Sequence, residues 1–328
     1  MSFPESRGLM HTDQVPIDLE RVRALVGDQF PQWRGSTITS VPSDGTVNAI
    51  FRIGSRLAAR FPLRAADPGT ELARLRAEAA AMLELSERCP FPTPLPVAIG
   101  YPAQDYPLPW SVQTWLPGRV ATPAGLASST TFALDLAALI NSLRAADTRG
   151  RQFGGHGRGG NLPDHDDWMR LCFEKSEGLM DIPRLHAVWA ELRELPVAGP
   201  DVMSHRDLIP ANLLVSGGRL VGVLDGGDFA AADPALDLVA AWHLLDSGAR
   251  EVLRLGVNAR TVEWQRGAAW AFQQSMGLVW YYRNTNPGMS ALGRGTLQRI
   301  LEDPAIPGTA TVVRSGPSRR GNESIAEN

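Results

Sequence analysis

The chain has 328 residues, of which 44% are hydrophobic and 20% are charged, and this length is enough for two lobes that each have a core. Its 32 basic and 35 acidic residues give a net charge of -3, so no basic excess favours nucleic acid or an anionic membrane as a partner. Cys89 and Cys172 are the only cysteines, which argues against a disulfide scaffold and a cysteine-rich zinc site.

The N-terminal segment is polar and contains Pro4 and Pro16, so it lacks the apolar core of a signal peptide. No segment approaches the ~18 consecutive apolar residues that a membrane-spanning helix needs. We therefore expect a cytoplasmic protein, either a monomer or a homodimer, that binds neither nucleic acid nor a membrane.

The first third of the chain predicts strands around one helix. Short runs of β-type residues cover 36–41, 47–53 and 56–61, and turn residues separate them. A helix is predicted over 70–86, where apolar side chains repeat at helical spacing. A proline-rich connector is expected over 90–109.

The second half of the chain is mainly helical in pattern. Apolar side chains repeat at intervals of three and four after Thr130, and further helices are predicted over 168–173, 183–195 and 261–282. Most aromatic side chains of the last helix are expected in the core, because aromatics at helical spacing usually pack there.

A glycine-rich stretch at 153–161 interrupts these helices. No apolar strand leads into it, as the turn of a dinucleotide-binding site would require. We expect a mobile loop, with His156 and Arg158 facing either substrate or, as we favour, solvent.

The most informative stretch begins at His205 and places Asp207 five residues before Asn212. Two apolar runs joined by a Gly-Gly pair follow over 213–224, a pattern that predicts a tight β-hairpin. The hairpin returns Asp225 to the side of the other two polar residues.

These residue types suit phosphoryl transfer. Asp207 can orient an attacking hydroxyl and accept its proton, and Asn212 and Asp225 offer the hard oxygen ligands that Mg²⁺ prefers. Each feature alone is weak, since an Asp after a strand is often a turn residue. Their combined spacing predicts a kinase-like site.

Together with the run Asp233-Pro234-Ala235-Leu236-Asp237-Leu238, this stretch resembles the aminoglycoside phosphotransferase-like kinases, whose usual pattern is H-G-D-x-x-x-x-N, then I-D-F/W, then G-D-P-x-x-D-L-A. Three positions differ. Arg206 stands where the family usually has Gly, Gly226 where it has an aromatic residue, and Ala232 where it has the Gly before Asp-Pro.

The resemblance implies an α+β, protein-kinase-like fold of two lobes: a β-rich N-lobe with one main helix and a mostly helical C-lobe. We expect the nucleotide-binding N-lobe at 1–112, a hinge at 113–118 and a catalytic, acceptor-binding C-lobe at 119–307. The polar, Gly- and Ser-rich residues 308–328 predict a disordered tail.

The resemblance also implies roles on the nucleotide side. Arg60 takes the position of the cation that binds the α- and β-phosphates, usually Lys, and Glu78 resembles its acidic partner, although a solvated helix charge is the simpler reading. The turn 43–46 is a hypothesis for the loop that covers the phosphates. Base recognition through the main chain is expected at Gln113, Thr114, Trp115 and Leu116.

Three further residues are expected to support the catalytic loop. His205 would organise it, and Asp233 and Asp237 would brace it from the following motif. Asp233 is also predicted to cap a helix that begins with Pro234.

The function implied is Mg²⁺-dependent transfer of the γ-phosphoryl group of ATP or GTP to a hydroxyl of a small molecule, with an aminoglycoside or related, cationic antibiotic as the leading acceptor. The alternatives are a kinase of a non-antibiotic metabolite, a nucleotide-binding pseudokinase, and a metal-dependent phosphohydrolase. Fold alone does not fix the acceptor.

Overall fold

The computed structural model describes residues 15–42, 47–103 and 106–309, which form two lobes of an α+β fold. The predicted phosphate-covering turn 43–46 lies outside the described residues, as does 310–328 of the predicted tail. Thr309, at the start of that tail, packs against the protein, where its hydroxyl donates to Ile306 O at 2.7 Å.

The N-lobe is built on a five-stranded antiparallel sheet with the order β1-β2-β3-β5-β4. Its strands are β1 Ile38–Val41, β2 Asn48–Ile53, β3 Leu57–Pro62, β4 Pro96–Gly100 and β5 Trp110–Thr114. The first three confirm the predicted strands. β4 lies in the stretch predicted as a connector; that prediction is wrong because proline is tolerated in an edge strand, and β4 is an edge with an irregular register after Pro96.

Two helices accompany this sheet. α2 Pro68–Arg88 corresponds to the predicted helix, and Asp67 caps it by accepting from Thr70 N at 2.8 Å. α1 Leu19–Gln29 was not predicted; it is short, and only three of its residues are buried. The aromatic core beneath the sheet includes Phe61 stacked on Trp110, with ring centroids 4.6 Å apart.

The C-lobe is mostly helical. Its helices are α3 Thr130–Arg144, α4 Asp166–Lys175, α5 Ile182–Leu192, α6 Val239–Leu244, α7 Ser247–Gly256, α8 Thr261–Tyr281 and α9 Pro287–Leu301. α3, α4, α5 and α8 confirm the four helical patterns recognised in the sequence, whereas α7 and α9 were not predicted. The long α8 is buried along most of its length and packs against α9, α6, α5 and α4.

Short strands on the C-lobe carry the predicted motifs. They are β6 Arg119–Val120, β7 Val202–Ser204, β8 Leu213–Ser216, β9 Arg219–Val223 and β10 Ala230–Ala232. β8 and β9 form the predicted hairpin around Gly217-Gly218, while β7 pairs with β10. Because β5 ends at Thr114 and β6 pairs with β8, the chain passes between the lobes over 115–118.

The segment after Asp233 differs from its prediction. A 3₁₀ turn at Leu236–Leu238 comes first and α6 begins at Val239, so Asp233 does not cap a long helix. Its carboxylate instead accepts from Ala235 N at 2.9 Å and from side chains of α8. Within the described ranges, no helix is long and apolar enough to cross a membrane.

Candidate active site

The catalytic loop is fixed from beneath by Asp237. One carboxylate oxygen of Asp237 accepts from Ser204 Oγ at 2.9 Å and Arg206 N at 3.1 Å, and the other accepts from His205 N at 2.9 Å. The fully buried His205 ring lies with Nε2 2.8 Å from Leu224 O, at the end of β9. The loop that carries Asp207 is therefore tied to the hairpin that carries Asp225.

Arg206 has a left-handed backbone with φ of 69°. This conformation explains the glycine that the resembling family prefers here, because a side chain in this region costs about 1–2 kcal/mol. The guanidinium donates to His156 O at 2.7 Å and lies 5.6 Å from the Phe153 ring centroid. Arg206 therefore braces the glycine-rich loop, a role that the sequence did not indicate.

The Asp207 carboxylate accepts from three side chains. Asn212 Nδ2 donates to Oδ2 at 3.1 Å and also to the Asp207 main-chain oxygen at 2.9 Å. Arg158 Nη2 and Gln274 Nε2 donate to Oδ1 at 2.7 and 3.2 Å. The expectation that Arg158 faces solvent is therefore wrong: it forms an ion pair with the central carboxylate.

Gln274 connects Asp207 to a buried histidine. Because Gln274 Nε2 donates to Asp207, its Oε1 faces His243 Nε2 at 3.0 Å, and that nitrogen must carry the ring proton. Nδ1 is then an acceptor, and the Thr296 hydroxyl, 2.9 Å from it, has its single proton shared between Nδ1 and Leu292 O, also at 2.9 Å. Burial lowers the pKa of His243 to about 4, so the ring is neutral at pH 7. His243 therefore donates to Gln274, and Gln274 donates to Asp207.

The donor set suits Mg²⁺. Since Asn212 uses its amide nitrogen toward Asp207, its Oδ1 is left without a protein donor among the described residues. Asp225 uses only Oδ1, toward Arg60, and its side chain is 48% exposed. No cluster of three or more His, Cys, Asp or Glu that could hold a metal occurs in the described part of the chain, as expected for Mg²⁺, which relies on one or two protein ligands and substrate phosphates.

Arg60 makes a different ion pair from the one expected. Its Nη2 lies 2.8 Å from Asp225 Oδ1, across the lobes, whereas Glu78 forms its ion pair with Arg74 on the same helix. Partial desolvation would raise the pKa of Asp225, but the charge and the hydrogen bond of Arg60, with the charge of Arg74 added to them, hold this pKa below its ordinary value.

Glu78 nevertheless lies close to this pair. Burial raises its pKa, while the charges of Arg74 and Arg60 act against that rise. Arg60 is therefore within electrostatic range of both carboxylates.

Gly226 and Gly227 allow α2 to pack directly on the loop that follows Asp225. A Cβ at Gly226 would lie 2.2 Å from Leu85 Cδ2, and one at Gly227 would lie 2.9 Å from Glu78 Cγ. Leu85 thus fills the space that the family's aromatic residue would need.

The replacement of the family's glycine by Ala232 also has a packing explanation. Gly159, with φ of 120°, faces it so closely that a Cβ there would lie 2.8 Å from the Ala232 Cβ. The glycine expected at 232 has its counterpart in the glycine-rich loop, which Asp233 N also holds by donating to Gly159 O at 2.8 Å.

Asp233 lies in a buried network behind the catalytic loop. Its Oδ2 accepts from Arg266 Nε at 2.8 Å and Trp270 Nε1 at 2.9 Å, and Arg266 continues to Gly160 O and Leu195 O. Asp233 and Arg266 side chains are each 2% exposed, so this pair joins α8 to the motif and to the glycine-rich loop.

The hinge offers fewer main-chain groups than expected. Thr114 N donates to Leu95 O at 2.9 Å and Trp115 N donates to Arg56 O at 2.7 Å, so neither N–H is available to a base. Gln113 is paired on both sides within the sheet. No described main-chain group accepts from Leu116 N. Among the N–H groups of 114–116, only that of Leu116 thus has no described main-chain acceptor.

A cavity of about 730 Å³ opens beside Asp207. We call the part lined by Asp207, Asp228, Arg158 and Arg206 its inner end, and the part lined by α4, α8 and the start of α9 its outer wall. The outer wall includes Trp168, Tyr281 and Tyr282, the last two of which belong to the aromatic helix recognised in the sequence.

Sequence comparison matches the phosphotransferase enzyme family (APH) over residues 37–270. No curated protein gives a significant match. Solved structures that resemble the chain include the GDP and kanamycin complex of the aminoglycoside phosphotransferase APH(2″)-IIIa, with 19% identity, TM-score 0.64, and 86% of this chain and 98% of that chain covered.

The gentamicin complex of APH(2″)-IIa has 15% identity, TM-score 0.58, and coverage of 89% and 98%. The macrolide 2′-phosphotransferase MphH from Brachybacterium faecium has 18% identity, TM-score 0.56, and coverage of 86% and 98%. At these identities the likeness shows the fold. The family match covers most of the chain, and the protein therefore belongs to the APH phosphotransferase enzyme family, a group of kinase-like transferases.

Proposed function

We propose that the protein is a Mg²⁺-dependent kinase that transfers the γ-phosphoryl group of ATP or GTP to a hydroxyl of a small molecule in the cytoplasm. The observation that carries this proposal is the arrangement around Asp207. Asn212 lies directly before the hairpin and Asp225 shortly after it, and Leu224 N donates to Asn212 O at 2.8 Å between these two ends. The cavity opens beside Asp207.

Each residue has a role in direct, in-line transfer. Asp207 orients the acceptor hydroxyl and takes its proton, and Asn212 Oδ1 and Asp225 would hold Mg²⁺. Bound Mg²⁺ would neutralise charge on the β- and γ-phosphates. Arg60 leaves Asp225 to bind phosphate oxygens, for which its planar, forked head is suited. Glu78, close by, then steadies Arg60 from α2.

The remaining predicted residues form the frame. His205, Asp233 and Asp237 hold the catalytic loop and the motif behind it through the contacts described above. We propose that the N-lobe at 1–112 and the C-lobe at 119–307 close on the nucleotide about the hinge 113–118, with Leu116 N donating to the base.

The acceptor is proposed from two sources that do not agree. Two of the similar structures were solved with kanamycin or gentamicin, the first of them also with GDP, which favours an antibiotic of that kind. The charges that line the cavity beside Asp207 favour a different class of molecule.

An acceptor screen tests the proposed reaction. Purified protein with Mg²⁺ and ATP or GTP is incubated with aminoglycosides, macrolides, and neutral and acidic alcohols, and nucleoside diphosphate and product mass are followed. We expect one class to gain one phosphate, ~80 Da, and Asp207→Asn to abolish the gain. Nucleotide binding without transfer to any hydroxyl would instead favour a pseudokinase, and phosphate release independent of an acceptor would favour a hydrolase.

A further inference from the structure

The charges of the cavity beside Asp207 do not suit a polycation. Of the described residues that line it, only Asp207 and Asp228 are acidic, whereas three, Arg64, Arg158 and Arg206, are arginines. Both carboxylates belong to the inner end of the cavity, and Asp207 already forms an ion pair with Arg158. An aminoglycoside with several ammonium groups would find no carboxylate along the described outer wall.

Arg158 forms an ion pair with the Asp207 carboxylate, and a bound acceptor must displace this ion pair. Its Nη2 lies 2.7 Å from Asp207 Oδ1, and both side chains are about 30% exposed, at 30% and 31%. A hydroxyl that approaches Asp207 from the cavity meets this guanidinium. Arg158 must therefore exchange its partner, at least in part, before Asp207 can serve the hydroxyl.

The loop that carries Arg158 is built to allow such an exchange. Phe153 N donates to Asp201 Oδ2 at 2.7 Å, and Gly159 and Gly160 are held by Asp233 N and Arg266, so both ends are fixed. The residues between are rich in glycine, which permits local backbone changes at low steric cost. The guanidinium can move while the loop stays attached.

A second guanidinium lies on the same side. Arg206 reaches His156 O and the Phe153 ring, and its Nε has no hydrogen-bond partner although it is buried. Arg158 and Arg206 thus form an arginine pair, both lining the inner end of the cavity. An acidic group bound between them would replace the carboxylate that Arg158 loses.

The outer wall suits an apolar or aromatic body. Trp168 and Tyr281, 38% and 44% exposed, lie at the cavity with Tyr282, Leu278 and Met289. Burial, together with the charge of Arg158, lowers the pKa of His165 on this wall, so it adds no cation at neutral pH. The wall offers ring faces and apolar contacts rather than ionic ones.

We infer that the acceptor is a hydroxylated molecule that carries a carboxylate or phosphate on an apolar or aromatic body, and that its acidic group takes Arg158 from Asp207. Binding of this acid frees Asp207 Oδ1 to orient the acceptor hydroxyl. This inference rests on the proposed kinase function for its catalytic meaning, but the binding preference itself does not.

Titration calorimetry with three matched alcohols tests the preference. The probes are 3-phenyllactate, its uncharged methyl ester, and phenylalaninol, which carries an ammonium group; each is added to the full-length protein with Mg²⁺ and a non-hydrolysable ATP analogue. We expect 3-phenyllactate to bind at least about tenfold more tightly than the ester, and phenylalaninol to bind most weakly. Phenyl phosphate as a fourth probe distinguishes a phosphate from a carboxylate.

Arg158→Gln should weaken 3-phenyllactate binding about tenfold and leave the ester unchanged, because only the acid uses the guanidinium. Arg170→Gln, which changes an arginine 75% exposed on α4, is the matched control and should change neither. Tighter binding of phenylalaninol, equal binding of all three probes, or no binding of either acid would overturn the inference.

The result separates this inference from the proposed function. If the acids bind but no acceptor gains phosphate in the screen, the preference stands and the kinase proposal fails. If kanamycin or gentamicin gains phosphate while 3-phenyllactate does not bind, the kinase proposal stands and the acidic acceptor is wrong.

Discussion

The two faces of Asp207 are assembled in different ways. On the side proposed for the nucleotide, called the nucleotide face, Asn212 lies five residues further along the chain and Asp225 follows at the end of one hairpin. On the acceptor face, Arg158 lies 49 residues earlier and Gln274 lies 67 residues later. The residues of the family motif are therefore close together in the sequence. The partners of Asp207 on the acceptor face are distant in the sequence and meet it only through the tertiary fold.

The largest effect is expected from breaking the buried pair of Asp233 and Arg266. This pair joins α8 and the glycine-rich loop, the two elements that supply Gln274 and Arg158 to the acceptor side of Asp207. Arg266→Met would leave the buried Asp233 carboxylate without its cation, and we expect the free energy of unfolding to fall by about 3–5 kcal/mol. Urea unfolding at neutral pH measures the loss. Arg170→Met, on an exposed surface, is the control.

The double variant Arg266→Met/Asp233→Leu should recover part of this loss, because no buried charge is then left unpaired. A single variant as stable as the parent protein would show that this buried pair does not stabilise the fold.

The acceptor face can be broken alone at Gln274. Gln274→Leu removes the donor to Asp207 Oδ1 and the acceptor for His243, and we expect kcat to fall about 10- to 100-fold with little change in KM for the nucleotide. Gln298→Leu on the exposed face of α9 is the matched control. An equal rise in KM for the nucleotide would contradict the separation of the two faces.

Nitrogen chemical shifts of His243 provide a readout that a purely structural change would not mimic. In the parent protein we expect the proton on Nε2, because that nitrogen faces Gln274 Oε1. Asp207→Leu removes the acceptor that fixes the orientation of Gln274 and should weaken this preference. A proton on Nδ1 in the parent protein would contradict the assignment.

The hairpin that carries Asp225 is held by Asp135, and we expect the smallest effect from changing this residue. Asp135 on α3 accepts from Arg219 and from Leu220 N of the catalytic hairpin, and the Arg219 hydrogen bonds lower its pKa below the ordinary 3.8. A lowered folded-state pKa stabilises the protein above about pH 3.8, and this contribution is lost as the pH falls through the folded-state value.

Asp135→Asn should therefore lower the free energy of unfolding by about 1–2 kcal/mol at pH 7, and the difference from the parent protein should shrink in acid. Asp167→Asn, at a site 90% exposed, is the control. A difference that is constant from neutral to acidic pH would show that the ion pair does not carry the effect.

These contrasts explain what could be predicted from the sequence. The hairpin, the spacing from Asp207 to Asp225 and the helical repeats are local patterns, and the structure reproduces them. α1 and β4 were not predicted, because one is short with a small buried face and the other contains Pro96. Periodicity is weakest in such elements.

The partners of Asp207 on the acceptor face could not be derived from spacing. Arg158 was noticed in its glycine-rich stretch, but no local pattern connects it with Asp207. Gln274 offers only a weak signal, an amide within an otherwise aromatic and apolar helix. The pairing of Arg60 with Asp225 rather than Glu78 likewise depends on how the lobes meet.

The division of labour between Asp207 and Asp225 is the central claim, and calorimetric titration of Mg·ATP and Mg·GTP into their Asn variants, paired with a phosphoryl-transfer assay, tests it most directly. We expect Asp207→Asn to bind nucleotide as the parent protein does and to lose transfer by about 10³-fold or more, and Asp225→Asn to lose Mg²⁺-dependent binding as well. Substantial transfer in Asp207→Asn, or unchanged Mg²⁺-dependent binding in Asp225→Asn, would contradict the assignment of this site.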